Sequence, residues 1–393
     1  MANTLGYYDP AFYANEALIF LKKGLGFAST VHMGFDDERR AFGRGDVINI
    51  RRPSTFTAAA APSTAADAAT ESVQISLDQW YEVKFKLTDK ELAYTGERMI
   101  QEHIEPAAYA LADKIDQDGC GLIKQIGGFA NVSAPADETN VTEARRILMS
   151  QNAPMSDQSR LSFMISPTVE KQLLDRSSFS QWQGSGTVGQ ATNITGALGG
   201  RFGFGRIFAN QNVPAHTAGT CNDTALQINN AAGYAAGTTT INIDAADASV
   251  TGTLVPGDIL SIGGKLYAIT NTTTAAGNAF TGVTITPGLE AAVVDNAVVT
   301  ATVTSVIAEN VAYHRDAFAL AMARLPDYSN TGLFGTAALG AQVASVQDPV
   351  TGLAMRSRIY YVGNSSEVHV ALDVLYGWKV LNPRLAVRMR DVS

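Results

Sequence analysis

A glycine-rich stretch is the first part of the sequence whose spacing could support chemistry. Residues 184–189 read Gly-Ser-Gly-Thr-Val-Gly, which fits the pattern that dinucleotide-binding proteins use to hold a pyrophosphate. That chemistry needs a strand before the glycines, a helix after them and an acidic residue about twenty positions later. The sequence predicts none of these, so we interpret the stretch as a mobile loop rather than a phosphate site.

Histidine and cysteine are too scattered to form a reactive group. Cys120 and Cys221 cannot build a disulfide framework, and Cys120 is expected to be a buried free thiol. No Walker, nucleophile-elbow or His-Glu metal pattern occurs. The sequence therefore predicts no catalytic residue, no metal site and no cofactor. The histidines lack ligand spacing and are expected at the surface or in subunit packing: His32, His103, His216, His314 and His369.

Composition and charge limit the classes of partner. The 393 residues are 46% hydrophobic and 17% charged, enough to bury a sizeable core in two or three domains. The net charge of -8 argues against tight binding to nucleic acid, and the basic spots at Arg51-Arg52 and residues 384–390 are expected to be solvated edges or subunit salt bridges. No apolar run approaches the roughly 18 residues of a membrane span, and no secretory signal is recognised. We expect a protein made in a cytoplasm, with no membrane partner.

The chain is organised around a predicted long helix at residues 98–126. Pro106 should kink this helix without dividing it, because the apolar spacing keeps its phase across the proline. Gly127 and Gly128 should end it, and Asp116 is placed on its polar face. The buried face is predicted to consist of Ile100, Ile104, Ala108, Leu111, Ile115, Leu122 and Ile126.

Before the helix, the period of the apolar residues is two. A strand at residues 47–52 and a second at 73–87 flank a segment at 54–70 of mostly small and polar residues. The second strand would span about 50 Å, so we expect a two-stranded arm whose apolar face is covered by another subunit. The predicted intersubunit contacts are Arg51, Arg52, Val73, Ile75, Leu77, Tyr81, Val83 and Phe85.

The remaining chain indicates an α+β body that carries an all-β insertion. A helix is predicted at 140–150, a buried strand at 161–166, a loop at 177–200, a strand at 201–212 and a helix at 317–323. Charge nearly vanishes between 220 and 306, where short alternating runs recur between turn residues, as in a small barrel or sandwich. Because the body resumes after it, the ends of this insertion should lie close together.

This order of elements resembles the major capsid proteins of tailed bacteriophages, in particular the coat family of the P-twenty-two type. That family has the HK-ninety-seven-like α+β fold with a long extended-loop hairpin, a spine helix and an inserted all-β barrel domain. The stretches that carry the likeness are residues 45–53, 310–321, 373–377 and 383–388.

The resemblance implies a division of the chain and a set of partners. The subunit would assemble with itself as hexamers and pentamers, use a separate scaffolding protein and a portal protein, and allow a decoration protein. The shell would enclose DNA without reading its sequence, and the protein would end in the virion. The implied parts are 1–44 (amino-terminal arm), 45–88 (extended-loop hairpin), 89–139 (spine helix and part of the peripheral domain), 140–219 (axial and peripheral body), 220–306 (inserted barrel) and 307–393 (return to the body).

Two other classes remain as alternatives. A bacterial surface-layer or phage tail structural protein could share the β segment rich in Thr, Gly and Ala, although it would more often carry a secretion signal or repeats. An enzyme such as a hydrolase would need a constellation of polar groups that the sequence does not display.

Overall fold

The structure is a computed structural model of the 393-residue chain. It describes residues 10–33, 47–51, 60–61, 72–88, 103–133, 135–180, 182–223, 225–245, 249–326, 341–349 and 351–392.

Six helices and twenty strands lie in this part of the chain. The helices are α1 (Pro10–Gly24), α2 (Glu105–Gly121), α3 (Glu138–Ser150), α4 (Pro167–Leu174), α5 (Ser177–Ser180) and α6 (Trp182–Thr195). The strands are β1 (Val47–Arg51), β2 (Ser72–Ser76), β3 (Gln79–Thr88), β4 (Phe129–Asn131), β5 (Leu161–Ile165), β6 (Arg206–Ala209), β7 (Ala225–Ile228), β8 (Thr240–Ala245), β9 (Thr253–Leu254), β10 (Ile259–Ile262), β11 (Lys265–Ile269), β12 (Thr273–Thr274), β13 (Ala279–Thr286), β14 (Val298–Thr302), β15 (Ala308–His314), β16 (Phe318–Ala323), β17 (Ala341–Gln347), β18 (Ala354–Val362), β19 (Glu367–Val380) and β20 (Ala386–Asp391).

The elements group into two compact units, and the first combines Met1–Asp116 with Ala319–Lys379. Its sheet runs β16-β19-β18-β17, and β3 pairs along β19 over all ten of its residues. Helix α1 packs against β17 and β18, and its residues Ala14, Leu18 and Leu21 are buried. The second unit combines Gln117–Phe318 with Val380–Ser393.

The predicted arm is shorter than the sequence pattern suggested. The strand expected at 73–87 stops at Ser76 and resumes at Gln79, so β2 and β3 are separate strands. Only β2 pairs with β1, with Ile75 opposite Ile48, whereas β3 belongs to the sheet of the first unit. The alternation of apolar residues could not reveal the break between β2 and β3. Leu77 continues the two-residue period, although the chain stops pairing with β1 before it and starts pairing with β19 after it.

The central helix also differs from its prediction. Helix α2 begins at Glu105, preceded by two π-helical residues, so Pro106 lies in the first turn. There its missing N–H removes no hydrogen bond, and no kink within a continuous α-helix is needed. The part of the prediction before His103 lies outside the described residues. The expected buried face is confirmed at Ile104, Ala108, Leu111, Ile115 and Ile126.

Asp116 was assigned to the polar face of this helix but is buried. Its carboxylate accepts N–H groups from Gly26, Phe27 and Ala28 at 2.6, 3.0 and 2.9 Å. Burial raises the pKa of Asp116 above its usual range, while these three donors favour the ionised form. The carboxylate thus holds the segment after α1 against α2.

The second unit is built on a mixed sheet in the order β4-β20-β15-β5-β6. The two outer pairs are parallel and the two inner pairs antiparallel. Helices α3 and α4 contribute Val141, Leu148, Val169 and Leu173 to the core beside Phe163 of β5. The predicted strand at 161–166 and the predicted helix at 140–150 are therefore confirmed, the helix beginning two residues earlier under an Asp137 capping box.

Two secondary-structure predictions were wrong. Residues 177–180 and 182–195, expected to be loop, form α5 and α6, and the dinucleotide-like residues 184–189 lie within α6, which is interrupted where Gly186 has a φ of 58°. Residues 318–323, expected to be helical, form β16, all of whose residues are buried. A short, wholly apolar run carries no period that separates a helix from a buried strand.

The predicted β insertion is a closed barrel of six strands, in the order β10-β11-β13-β8-β7-β14. Inward-facing residues such as Ile241, Ile243, Leu260 and Ile285 fill its core. The barrel is inserted through neighbouring ends, as expected, because His216 and Val306 exchange backbone hydrogen bonds of 3.0 and 2.8 Å.

Candidate assembly surface and barrel attachment

The predicted intersubunit contacts divide between buried and half-buried positions. Arg51 ends β1 opposite Ser72, and Arg52 lies outside the described residues. Ile75 and Leu77 are buried within the first unit. A Cβ built on Gly377 would lie 2.0 Å from the Ser76 carbonyl oxygen and 3.2 Å from Ile75 Cγ2, so β2 passes directly over this glycine.

Part of the arm's apolar face was expected to be completed by a neighbouring subunit, and Ile75 and Leu77 are covered within their own unit. Val73 remains half-buried opposite Ile50. An intersubunit role for Val73 and for the residues of β3 stays a prediction.

On β3, the odd-numbered predicted contacts are partly covered by the same unit. The Tyr81 ring stacks on Tyr376 with centroids 6.0 Å apart, and Lys114 Nζ lies 4.8 Å from the Tyr81 centroid. Phe85 and Val83 are half-buried on the same face. This face of β3 therefore has both an intramolecular cover and some remaining exposed area.

The sequence interpretation missed Trp80, on the opposite face of β3. Its side chain is 59% exposed, although its Nε1–H donates to Asp373 Oδ2 at 3.3 Å. The available signal was an aromatic residue at an even position of a strand whose apolar residues occupy odd positions. The alternation of apolar residues predicts contacts on the apolar face only, so it does not single out Trp80.

Asp373 connects Trp80 to two arginines. The Arg356 Nε and Nη2 atoms donate to the two Asp373 oxygens at 3.0 and 2.5 Å, a bidentate pair that is almost wholly buried. Arg358 Nη2 lies 3.3 Å from Asp373 Oδ2 and also pairs with Glu82. One carboxylate thus orients two cations and an exposed indole.

A second group of one carboxylate and two arginines lies where the barrel meets the body of the second unit. Glu309 Oε1 is 3.3 Å from Arg388 Nη1 and 3.5 Å from Arg390 Nε, and all three side chains are fully buried. Arg388 Nη1 also donates to the Gly257 carbonyl at 2.9 Å, and Arg390 Nη2 donates to Thr304 O at 2.5 Å. Residues 384–390 were expected to form solvated edges or subunit salt bridges, so the burial of these two arginines is a correction.

The same junction contains a buried His-Asp pair. His216 Nε2 is 3.0 Å from Asp258 Oδ1, and Asp258 Oδ2 accepts the Val255 and Gly219 N–H groups at 2.9 and 3.2 Å. His216 was expected at the surface or in subunit packing, and so was His314. Both are buried within the chain. Burial lowers the pKa of His314, which favours its neutral form.

The described residues offer little for metal chemistry. Among them, no group of three or more His, Cys, Asp or Glu side chains is placed to hold a metal ion. None of the helices in this part of the chain is long and apolar enough to cross a membrane. The geometry instead consists of structural charge clusters and exposed aromatic residues, of which Trp80 is the most exposed among those described.

Comparison with known proteins gives a match to a family model over part of the chain and a similar fold. Residues 70–255 match the model of a family described as phage capsid protein. A solved structure of Mycobacterium phage Che8 has a TM-score of 0.50 at 16% identity, covering 93% of this chain and 90% of its own. The capsid of cyanophage P-SCSP1u has a TM-score of 0.45 at 10% identity, with coverage of 89% and 84%. The mature capsid of bacteriophage PhiM1 has 0.43 at 13%, with 89% and 83%.

No curated protein has a significantly similar sequence. The fold likeness rests on the Che8 structure. The α+β architecture with its closed barrel agrees with the predicted HK-ninety-seven-like fold. The finer assignment to the P-twenty-two type stays a prediction. Residues 70–255 are thus similar to the phage capsid protein family, and the chain shares its fold with the Che8 structure.

Proposed function

We propose that this protein is the major capsid protein that assembles into the icosahedral head around the double-stranded DNA of a tailed bacteriophage. The match of residues 70–255 to the phage capsid family is the observation that carries this proposal. The described residues supply a structural role, since their charged groups hold sheet strands and the barrel together. Catalysis forms no part of the proposed function.

The proposal extends to partners and to the place of assembly. The subunit would form hexamers and pentamers in the host cytoplasm with a separate scaffolding protein and a portal protein, and the finished shell could bind a decoration protein. The net charge of -8 supports enclosure of DNA without sequence-specific binding. The domain boundaries, including the barrel at 220–306, belong to the same proposal.

Electron microscopy of the purified protein tests this function. Closed shells, with and without the scaffolding protein from the same genome, are the expected product. Fibres or flat sheets would support a tail or surface-layer protein instead, and a uniform population of single subunits with a measurable hydrolytic activity would support an enzyme.

The contribution of the arm is tested by a deletion. We propose that residues 58–69, most of which lie outside the described residues, act between subunits. Replacing them with a short turn should leave the melting transition of the unassembled subunit nearly unchanged and should reduce shell formation, measured by sedimentation. Normal shell yield from the deletion variant would contradict the intersubunit role, and a large loss of melting temperature would indicate an internal one.

A further inference from the structure

We propose that Trp80 is the central contact residue of an interface with a second copy of this chain. The surface is Trp80 with Glu82, Lys84 and Arg358, which share one face of the sheet formed by β3, β19 and β18. This inference rests on the proposed function, because it names where one coat subunit contacts another. None of these residues was among the contacts predicted from the sequence.

The exposure of Trp80 is unusual for its position. The even-numbered face of β3 otherwise presents Glu82, Lys84 and Lys86, the kind of charged side chains that suit a solvated strand. A largely exposed indole among them leaves a large apolar area in water. Burying that area against another surface is therefore favourable.

The ring is also held in place before any partner arrives. Its N–H is bonded to Asp373, which is fixed by the bidentate pair with Arg356. The Arg356 guanidinium carbon lies 5.9 Å from the ring centroid, at the edge of cation–π range. A side chain already confined to one orientation loses little entropy on binding. Rigid, partly exposed tryptophans with a satisfied polar end are typical central residues of protein interfaces.

The charges around Trp80 favour a protein partner. Glu82 pairs with Arg358, and Lys86 pairs with Glu367 at 2.6 Å, so the two signs alternate across the face. A nucleic-acid surface would be uniformly cationic, and a lipid-binding surface would combine cations with several apolar side chains. An aromatic centre with a polar rim of mixed sign is the composition of a protein interface.

A second copy is the occupant that fits this composition within the proposed function. A coat subunit meets its own copies more often than any other protein. Because the surface carries both positive and negative side chains, it can form complementary ion pairs with a region of mixed charge on a second copy. In a closed shell of identical chains, each subunit repeats the same heterologous contact. One substitution therefore removes one contact from every subunit.

The test compares two substitutions in the full chain. Trp80→Ala should raise the concentration needed for shell assembly at least tenfold in sedimentation, while the circular dichroism and melting temperature of unassembled subunits stay close to the parent values. Met149→Ala is the control, because Met149 is a 55% exposed apolar residue of α3, which belongs to the second unit and not to this sheet. It should change assembly less than twofold.

Fluorescence provides a measurement that survives a folding defect in the alanine variant. Trp80→Phe keeps an aromatic ring, and the difference between its acrylamide quenching and that of the parent isolates the Trp80 signal from the two other tryptophans. This signal should be quenched in free subunits and at least threefold less quenched in shells.

The outcomes separate this inference from the proposed function. If the parent forms shells and Trp80→Ala assembles at the parent concentration, the interface is wrong and the capsid function stands. Equal quenching of Trp80 in subunits and shells would overturn the interface in the same way. If the parent forms no shells under any condition, with or without its scaffolding protein, both proposals fail together.

Discussion

The two groups of one carboxylate and two arginines use the same chemistry with different access to water. Glu309 with Arg388 and Arg390 is fully buried and joins the barrel to the sheet of the second unit. Asp373 with Arg356 and Arg358 is buried at its centre but open at one edge, where Arg358 and Trp80 reach solvent. The enclosed group fixes one part of the subunit to another, whereas the open group orients a side chain for contact outside it.

Burial removes charged groups from water, and of the two groups this desolvation is complete only for that of Glu309, Arg388 and Arg390. Burial lowers the pKa of Arg388 to about 10, partly offset by Glu309, so the guanidinium stays charged at neutral pH. Within the described residues, Arg388 Nε and Nη2, Arg390 Nη1 and Glu309 Oε2 have no hydrogen-bond partner. Such a group depends strongly on its one shared carboxylate oxygen, because removing that charge leaves two cations in a poorly solvating interior.

Removing the charge of Glu309 should therefore have the largest effect. Glu309→Gln is expected to lower the free energy of unfolding by ~3–5 kcal/mol, because both buried arginines lose the carboxylate that they share. Urea unfolding of unassembled subunits measures the change. Glu143→Gln is the control, since Glu143 pairs with Arg146 at the surface and its loss should cost under about 0.5 kcal/mol. Equal effects of the two substitutions would show that enclosure does not matter.

Asp373→Asn should be less damaging than Glu309→Gln. The expected loss is about 2–3 kcal/mol, because Arg356 loses a charged acceptor while Arg358 and Trp80 can turn to water. The same unfolding experiment applies. Tryptophan emission should also shift as the Trp80 N–H bond weakens, and Trp80→Phe in the same background should abolish that shift. A loss larger than that of Glu309→Gln would reverse the comparison.

The surface link between barrel and body should contribute still less. Arg384 Nη2 lies 3.2 Å from Glu290 Oε1, and the two side chains are 49% and 27% exposed. Arg384→Ala is expected to cost less than ~1 kcal/mol, as exposed ion pairs usually do. A calorimetric melt of the variant should nearly superimpose on that of the parent. A clear drop would show that this link, and not only the enclosed group, holds the barrel.

The smallest expected effect on stability comes from Glu367, at the start of β19 in the sheet that contains Asp373. Hydrogen bonds from Lys86, His369 and Ser365 lower the pKa of Glu367 to about 2 from 4.5. Because the folded pKa lies below the unfolded one, the stabilisation is present above pH 4.5 and is lost as the pH falls towards 2. Carboxyl NMR titration should place the midpoint near 2, and Lys86→Ala should move it towards 4.5. If the titration midpoint does not change on this substitution, Lys86 is not the main cause of the lowered Glu367 pKa.

The barrel was predictable from sequence, whereas the open group was not. The barrel strands alternate residue by residue and are joined by nearby turns, so each one is visible locally, as in Thr240–Ala245. The Trp80 to Asp373 bond joins positions 293 residues apart, and no local period reports such a pairing. Asp116 was misplaced for a related reason. Its burial depends on backbone groups near residue 27 rather than on its own helix.

The neighbouring ends of the barrel have a consequence for engineering. The hydrogen bonds between His216 and Val306 suggest a natural splice point at which the barrel could be exchanged for a foreign cargo or display domain. Such an exchange would also remove Gly257 and Thr304, whose carbonyl oxygens accept hydrogen bonds from Arg388 and Arg390 respectively. An exchange of the barrel at this junction therefore has to change two things together: the inserted domain and the two arginines of β20 that bond to it. Replacing both arginines with apolar residues of similar volume would leave no buried charge unpaired when a different domain takes the place of the barrel.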